Sequence, residues 1–344
     1  MLAALVYEPG GPLVVEEVED PKPGDGEVRV RIEACGIGLT VVHYSGASTL
    51  ATIAGTELPR IPGHEFVGVV DQLGAGADPR WLGRRVFAYF HLTCGVCRRC
   101  LGAEEQLCES HGGVIGAARD GGYAEFAVIP ERNALELPDG IDAVSATTIA
   151  DAIATPVHAA RLAAISPGER VAVVGAGGGV GIHMVQVAGL LGADVVGLDI
   201  VPAKLDYLER ELGIPGVDAR DFDAARLPSG WRDQLDVVVD LVGASDGYEW
   251  AVRTLDSNGR LVCLTAHTDA VAGIPSRDLV PRQLTVLGSK YTSRSEAATA
   301  AALVAQGRIR PIVTSRVGLG DIESVHDELR AGSLIGRAAL VFPR

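Results

Sequence analysis

The chain has 344 residues, of which 47% are hydrophobic and 22% charged, with a formal net charge of −14. That length leads one to expect two domains, and the composition is that of a globular protein with ample material for a core. An acidic chain lacks the basic footprint of a nucleic-acid binder, so no nucleic-acid partner is expected and the acid excess reads as a solubility feature.

The opening stretch "MLAALVYEPGGPLVVEEVED" meets proline and acids too soon for a signal peptide, and no apolar run reaches membrane-spanning length. No membrane partner and a cytoplasmic location are expected. Up to about residue 150 the chain reads as β-rich. "LAALVYE", "PLVVEEVE", "GEVRVRIEAC" and "FVGVVDQLG" are short apolar or alternating runs, broken by the turn chemistry of "EPGGP", "DPKPGDGE" and "LGAGADP".

Four of the six cysteines fall in "CGVCRRCLGAEEQLC". Cys94, Cys97, Cys100 and Cys108 follow the spacing C-x2-C-x2-C-x7-C. Without a secretion signal, cysteines so clustered read as metal ligands rather than disulfides. Four thiolates suit tetrahedral zinc with no open position, which is a structural site. An iron–sulfur cluster uses similar ligands.

Near Ala150 the character changes. "ATPVHAARLAAI" has helical spacing, and "RVAVVGAGGGVGIHMVQVAGLLGADVVGLD" reads as buried strand, glycine turn, apolar helix and second strand. Further strands are expected at "QLDVVVDLVG" and "GRLVCLTA". The alternation predicts βαβ units and a parallel sheet. The last fifty residues show one long helical pattern, "SEAATAAALVAQG", and a closing strand, "GRAALVF".

In the glycine turn, Gly175, Gly178 and Gly181 fall three apart, with Gly177 and Gly179 between them and Val180 before the last. This is one residue longer than a strict G-x-G-x-x-G, but the chemistry is the same. Small residues let the backbone approach a pyrophosphate, and the helix N-terminus offers amide donors. Asp199 ends the next strand. A carboxylate there can accept both adenosine-ribose hydroxyls and would repel a 2′-phosphate, which favours NAD(H) over NADP(H). A plain glycine-rich turn with a surface acid is the bland alternative.

"GEVRVRIEACGI", "PGHEFVGVV", the four-cysteine lobe, "DGGYAEFAVIP", the glycine-turn segment and "GRAALVFP" occur together and in this order. In these the chain resembles the medium-chain dehydrogenase/reductase superfamily, in its zinc-containing alcohol dehydrogenase branch. The resemblance covers nearly the whole length. It implies an α/β fold: a GroES-like β-rich catalytic domain over residues 1–152, with the structural-zinc lobe at 94–108, and a doubly wound Rossmann domain over 153–291. Residues 292–344 return to the catalytic domain. It also implies a homodimer or homotetramer and a small-molecule substrate. Lys204 and Arg337 join the expected cofactor-binding set.

The resemblance further implies a catalytic zinc held by a cysteine, the histidine of "GHE" and a third ligand near the domain junction. His64 fits the second place, with Glu65 beside it, and Asp151 fits the third. The first place falls on Gly38, and the supporting acid three residues on is Val41. A second zinc is therefore expected to be held weakly or not at all, and Gly38→Cys is expected to raise the zinc content. Cys35 belongs to the preceding strand and does not repair the gap, whereas Glu65 could complete a carboxylate-rich site. Thr40 and His43 match the family's proton relay; a buried cap residue and a surface histidine are the bland alternative. His91, His111, His158, His183, His267 and His326 have no motif context. The substrate pocket is expected around Tyr44 to Arg60 and Tyr291 to Arg294.

The leading expectation is an NAD(H)-linked oxidoreductase of alcohols or carbonyls, with His64, Glu65, Asp151, Thr40 and His43 at its site. The second is a zinc-independent reductase of an activated C=C or C=N bond, in which no alkoxide forms at the carbon that takes the hydride. The third is a cofactor-binding protein without activity.

Overall fold

The computed structural model describes residues 1–45, 57–222, 225, 227–229, 231, 234–266, 271 and 273–342, without the side chains of residues 43–45. The chain divides into two compact units. One comprises Met1–Asp151, Thr292–Gly307 and Pro311–Arg344; the other comprises Ala152–Tyr291 and Arg308–Arg310. The expected division at 152/153 and 291/292 differs by Ala152 and by the three residues 308–310.

The first unit opens with β1 (Leu2–Val6) and β2 (Leu13–Glu17), an antiparallel pair. There follow β3 (Glu27–Ile37), α1 (Leu39–Ser45), β4 (Phe66–Leu73), β5 (Arg85–Ala88), α2 (Arg98–Leu101), β6 (Phe126–Pro130), β7 (Ala134–Glu136) and α3 (Ala143–Ala146). In β3 the period-two pattern is plain: Val28, Val30, Ile32 and Ala34 are buried, while Arg29 faces out to pair with Asp71. From Cys35 to Ile37 every residue is buried, so this strand ends inside the core rather than at the surface.

The second unit runs α4 (Ala154–Leu162), β8 (Arg170–Val174), α5 (Gly181–Leu190), β9 (Asp194–Asp199), α6 (Pro202–Leu212), β10 (Gly216–Asp218), β11 (Leu235–Asp240), α7 (Ser245–Thr254), β12 (Leu255–Cys263), α8 (Ser276–Leu279) and β13 (Thr285–Gly288). Its six strands are all parallel, in the order β10-β9-β8-β11-β12-β13. That is the doubly wound order, with the reversal between β8 and β11, where such sheets bind ligands. Strands buried on both faces are written as continuous apolar runs. Val174, Leu198, Val238 and Leu261 pack with Tyr248 and Trp250 in one core.

The first unit then resumes with α9 (Arg294–Ala305), β14 (Val313–Val317), α10 (Ile322–Arg330) and β15 (Arg337–Val341). Ser293 and Glu296 start α9 with a capping box. β15 lies antiparallel on β3, giving a seven-stranded sheet ordered β14-β15-β3-β4-β5-β7, with β6 also on β3.

The sequence patterns find most long elements. They miss β14 and α10, because α10 buries only Ile322, Val325 and His326 and its apolar period is short. No helix among the described residues is long and apolar enough to cross a membrane.

Candidate active site and metal centres

The four clustered cysteines converge. Sγ separations are 4.0 Å for Cys94–Cys100, 3.5 Å for Cys97–Cys100, 3.9 Å for Cys97–Cys108 and 3.5 Å for Cys94–Cys108. Sulfurs placed tetrahedrally about 2.3 Å from one zinc lie about 3.8 Å apart, so the set fits a single ion; a multi-iron cluster would hold its thiolates wider. Backbone amides support the charge: Cys94 N–H donates to Cys108 Sγ, and the amides of Cys100 and Glu109 pull the Cys97 thiol down to about 6. Cys94, Cys97, Cys100 and Cys108 would hold the ion on all four sides, and it would brace the lobe without reaching substrate. All six cysteines are free thiols.

The glycine turn joins β8 to α5. Gly175 has φ +80°, a conformation only glycine takes freely. At Gly181, a β-carbon would lie 2.8 Å from Ala176 Cα, so the helix can start this close to the strand only without one. Gly177 carries the Lys204 side chain against its α-carbon, and its N–H donates to Asp199 Oδ2 over 3.0 Å. The other oxygen of Asp199 accepts from Val201 N–H, which fixes the carboxylate at the tip of β9. Burial holds Lys204 below the usual lysine range, and Asp199 works the other way. Gly178 N–H donates to Gly175 O, and His183 Nδ1 lies 2.7 Å from Gly179 O. The cradle fits a dinucleotide: a glycine bend, a helix N-terminus at Val180 and Gly181, and a fixed acid one strand over.

The polar cluster of the first unit follows from strand register. Ile37 stands opposite Ala338, so Gly38 comes beside Arg337 where β3 and β15 meet. Cys35 stands opposite Phe66, and Gly36 N–H donates to Glu65 O, so Glu65 lies over Gly36. A β-carbon at Gly38 would lie 2.7 Å from both Cζ and Nη2 of Arg337, and closer still to Nη1. A β-carbon at Gly36 would lie 2.8 Å from Glu65 Oε2. Arg337 Nη2 donates to Glu65 Oε2 in a buried ion pair. Arg337, expected among the cofactor ligands, thus has Glu65 as its partner.

His64 Nε2 lies 3.7 Å from Asp151 Oδ2, both residues being buried, and the imidazole stands edge-on to Phe90. Asp151 occupies the middle of a π-helical turn, Ile149–Ile153, an irregularity often found at functional sites. Among the described residues, the buried Glu65 Oε1 and Arg337 Nε have no hydrogen-bond partner. One acceptor and one donor held ready in this way suit a polar ligand.

Ligand atoms of His64, Glu65 and Asp151 lie within 4.8 Å of one another. The set does not fit the catalytic zinc that the family resemblance implies. Position 38 supplies no donor, its side-chain space holds a cation, and Glu65 is already tied to that cation. Cys35 lies in β3 as expected and is buried, which pushes its thiol well above the usual range.

Thr40 is half-buried in α1, and His43 lies in the same helix with its side chain outside the described residues, as are residues 46–56 of the expected pocket and His267. His91 Nδ1 meets His111 Nε2 at 2.9 Å, a pairing that no motif announced. Asp240 was also missed. It ends β11 beside β8, accepts from the amides of Val242 and Gly243, and burial raises its pKa. The signal was available: "VVVD" ends on an acid as "VVGLD" does.

Residues 24–139 match the family model described as the alcohol dehydrogenase GroES-like domain, and residues 179–306 match that of the zinc-binding dehydrogenases. The chain is similar to an alcohol dehydrogenase of Geobacillus stearothermophilus, 32% identical over 342 residues, covering 99% of each chain. It is 27% identical over 328 residues to an acryloyl-coenzyme A reductase of Metallosphaera sedula, covering 95% of each. Among solved structures it is similar to the cobalt- and zinc-bound thermostable alcohol dehydrogenase of Pyrobaculum aerophilum, with a TM-score of 0.87, 32% identity, and coverage of 99% of this chain and 98% of that one.

Proposed function

The chain belongs to the zinc-type alcohol dehydrogenase family of medium-chain dehydrogenases/reductases, and from that membership we propose that it is an NAD(H)-dependent oxidoreductase interconverting an alcohol and a carbonyl. The observation that carries the reading is the turn after β8, where a glycine bend opens α5 and the fixed Asp199 carboxylate offers an acceptor for ribose hydroxyls. When bound, the nicotinamide gives or takes the hydride at its C4.

The chain's own residues supply the rest. Thr40 donates a hydrogen bond to the substrate oxygen and, with His43, moves the hydroxyl proton. His64 and Asp151 orient the substrate in a buried, water-poor setting in which hydrogen bonds are stronger. The four-cysteine lobe holds one structural zinc. The substrate is a small molecule, the assembly a homodimer or homotetramer, and the compartment the cytoplasm. The cytoplasmic assignment is supported by the clustering of four cysteines at metal-ligand rather than disulfide-framework spacing. The test is turnover of a panel of alcohols and aldehydes followed by NADH absorbance. No turnover of any alcohol or carbonyl would overturn the reading.

The guanidinium in the space of position 38 favours a second reading, a reductase of an activated C=C or C=N bond. That chemistry needs no Lewis acid at the reacting carbon. NADH oxidation by an enone or enoyl thioester, with ketones and aldehydes inert, would establish it in place of the first.

A further inference from the structure

Gly38 stands where a first metal ligand is expected, and the fold has filled the room. The antiparallel register of β15 on β3 brings Arg337 to Gly38, and the guanidinium comes within 2.7 Å of where a cysteine's β-carbon would stand. The same guanidinium is paired with Glu65, the carboxylate nearest to taking over as a ligand. Both partners are buried, Arg337 at 6% and Glu65 at 1% exposure, so neither charge can be handed to water cheaply. A guanidinium keeps its proton at neutral pH even when buried, and here it faces the Glu65 carboxylate, so the group is a cation.

We propose that Arg337 is the resident cation of this site, standing in the place of the first metal ligand, so that no catalytic zinc assembles on His64 and Asp151. Relative to a thiolate, the change is two elementary charges beside the point a dication would occupy. Glu65 Oε2 is held by the same group and its free Oε1 lies on a carboxylate whose charge that group offsets, so His64 and Asp151 are the two unopposed donors, against the three protein ligands of a catalytic zinc. Gly38 and Gly36 are then space-making residues: one admits the guanidinium, the other the carboxylate that holds it. The Gly38→Cys substitution expected from the sequence to restore zinc therefore fails by itself, because the new side chain meets Arg337.

The inference deepens the proposed function and borrows from it only the location of the site. Metal content is read without turnover, so the two fail separately. The test is elemental analysis of the full chain after dialysis against a chelator, with zinc X-ray absorption to count sulfur and nitrogen or oxygen neighbours. The expected result is about one zinc per chain with a sulfur-only shell at about 2.3 Å. A second retained zinc with nitrogen and oxygen neighbours in the unsubstituted protein would overturn the proposal, and this measurement needs no variant to fold.

Among variants, Gly38→Cys stays near one zinc, whereas Gly38→Cys with Arg337→Ala, or with Arg337→Gln to preserve bulk, rises toward two. Two zincs in Gly38→Cys with Arg337 intact would show that the guanidinium does not hold the space. One zinc in a folded double variant, its lobe zinc in place, would show that Arg337 is not what keeps the metal out. Either result overturns the proposal.

Discussion

The backbone N–H of Gly177 donates to Asp199 Oδ2 over 3.0 Å, so the turn after β8 and the acid ending β9 form one hydrogen-bonded unit. A carboxylate held in this way cannot swing aside for a 2′-phosphate. NADH is therefore expected to bind at least about tenfold tighter than NADPH, about 1.4 kcal/mol. Asp199→Gly should narrow the gap. Dissociation constants measured by fluorescence titration decide the matter, and equal affinities in the unsubstituted protein would remove the assignment.

The cysteine lobe should behave as a brace. Cys97→Ser removes one of the four proposed zinc ligands and a thiolate that backbone amides already favour. The melting temperature or the assembly state should fall, with residual activity following the folded fraction. Unaltered stability with activity abolished would contradict a structural role.

Thr40 is the described residue of α1 assigned to the substrate oxygen. Thr40→Val keeps its shape and removes the hydroxyl, so kcat/KM should drop about a hundredfold or more while the NADH dissociation constant stays put. Unchanged kcat/KM across the substrate panel would take Thr40 out of the reaction.

His183 gives a pH signature. It is fully buried on α5 beside the glycine turn, and burial pulls its pKa from the ordinary 6.5 to about 4. The folded state therefore binds the proton later than the unfolded state does. The neutral ring's contribution is fully present above about pH 6.5 and is lost as pH falls toward 4, by up to about 3 kcal/mol. His183→Gln should flatten that part of the profile. Urea unfolding of both proteins between pH 7 and 4.5 is the check, and parallel profiles would refute the assignment.

Much of the site was legible because its parts are local. The cysteine spacing alone brings four sulfurs within reach of one ion, since Cys94 and Cys108 close a short loop. The glycine turn and Asp199 are joined by one βαβ unit. In both, the residues that act together lie within about two dozen positions, so a window of sequence contains the geometry. Asp240 ends its strand on an acid as Asp199 does, a signal the sequence carries, whereas the His91–His111 contact joins two loop segments on either side of the lobe and leaves no local signal.

The sequence by itself determined the family, the parallel sheet and its glycine turn, the clustering of four cysteines, and the fact that position 38 has no side chain. It could not determine what fills that space. Arg337 and Glu65 are 272 positions apart and are brought together only by β15 and β4 pairing with the same strand. Local periodicity fixes which face of a strand is buried; which charge meets which gap depends on register between strands distant in sequence. A glycine at position 38 and an arginine near the C-terminus are two separate facts in the sequence. Tertiary structure makes them one, because a buried cation must have its counter-ion and a packed core leaves no room unfilled.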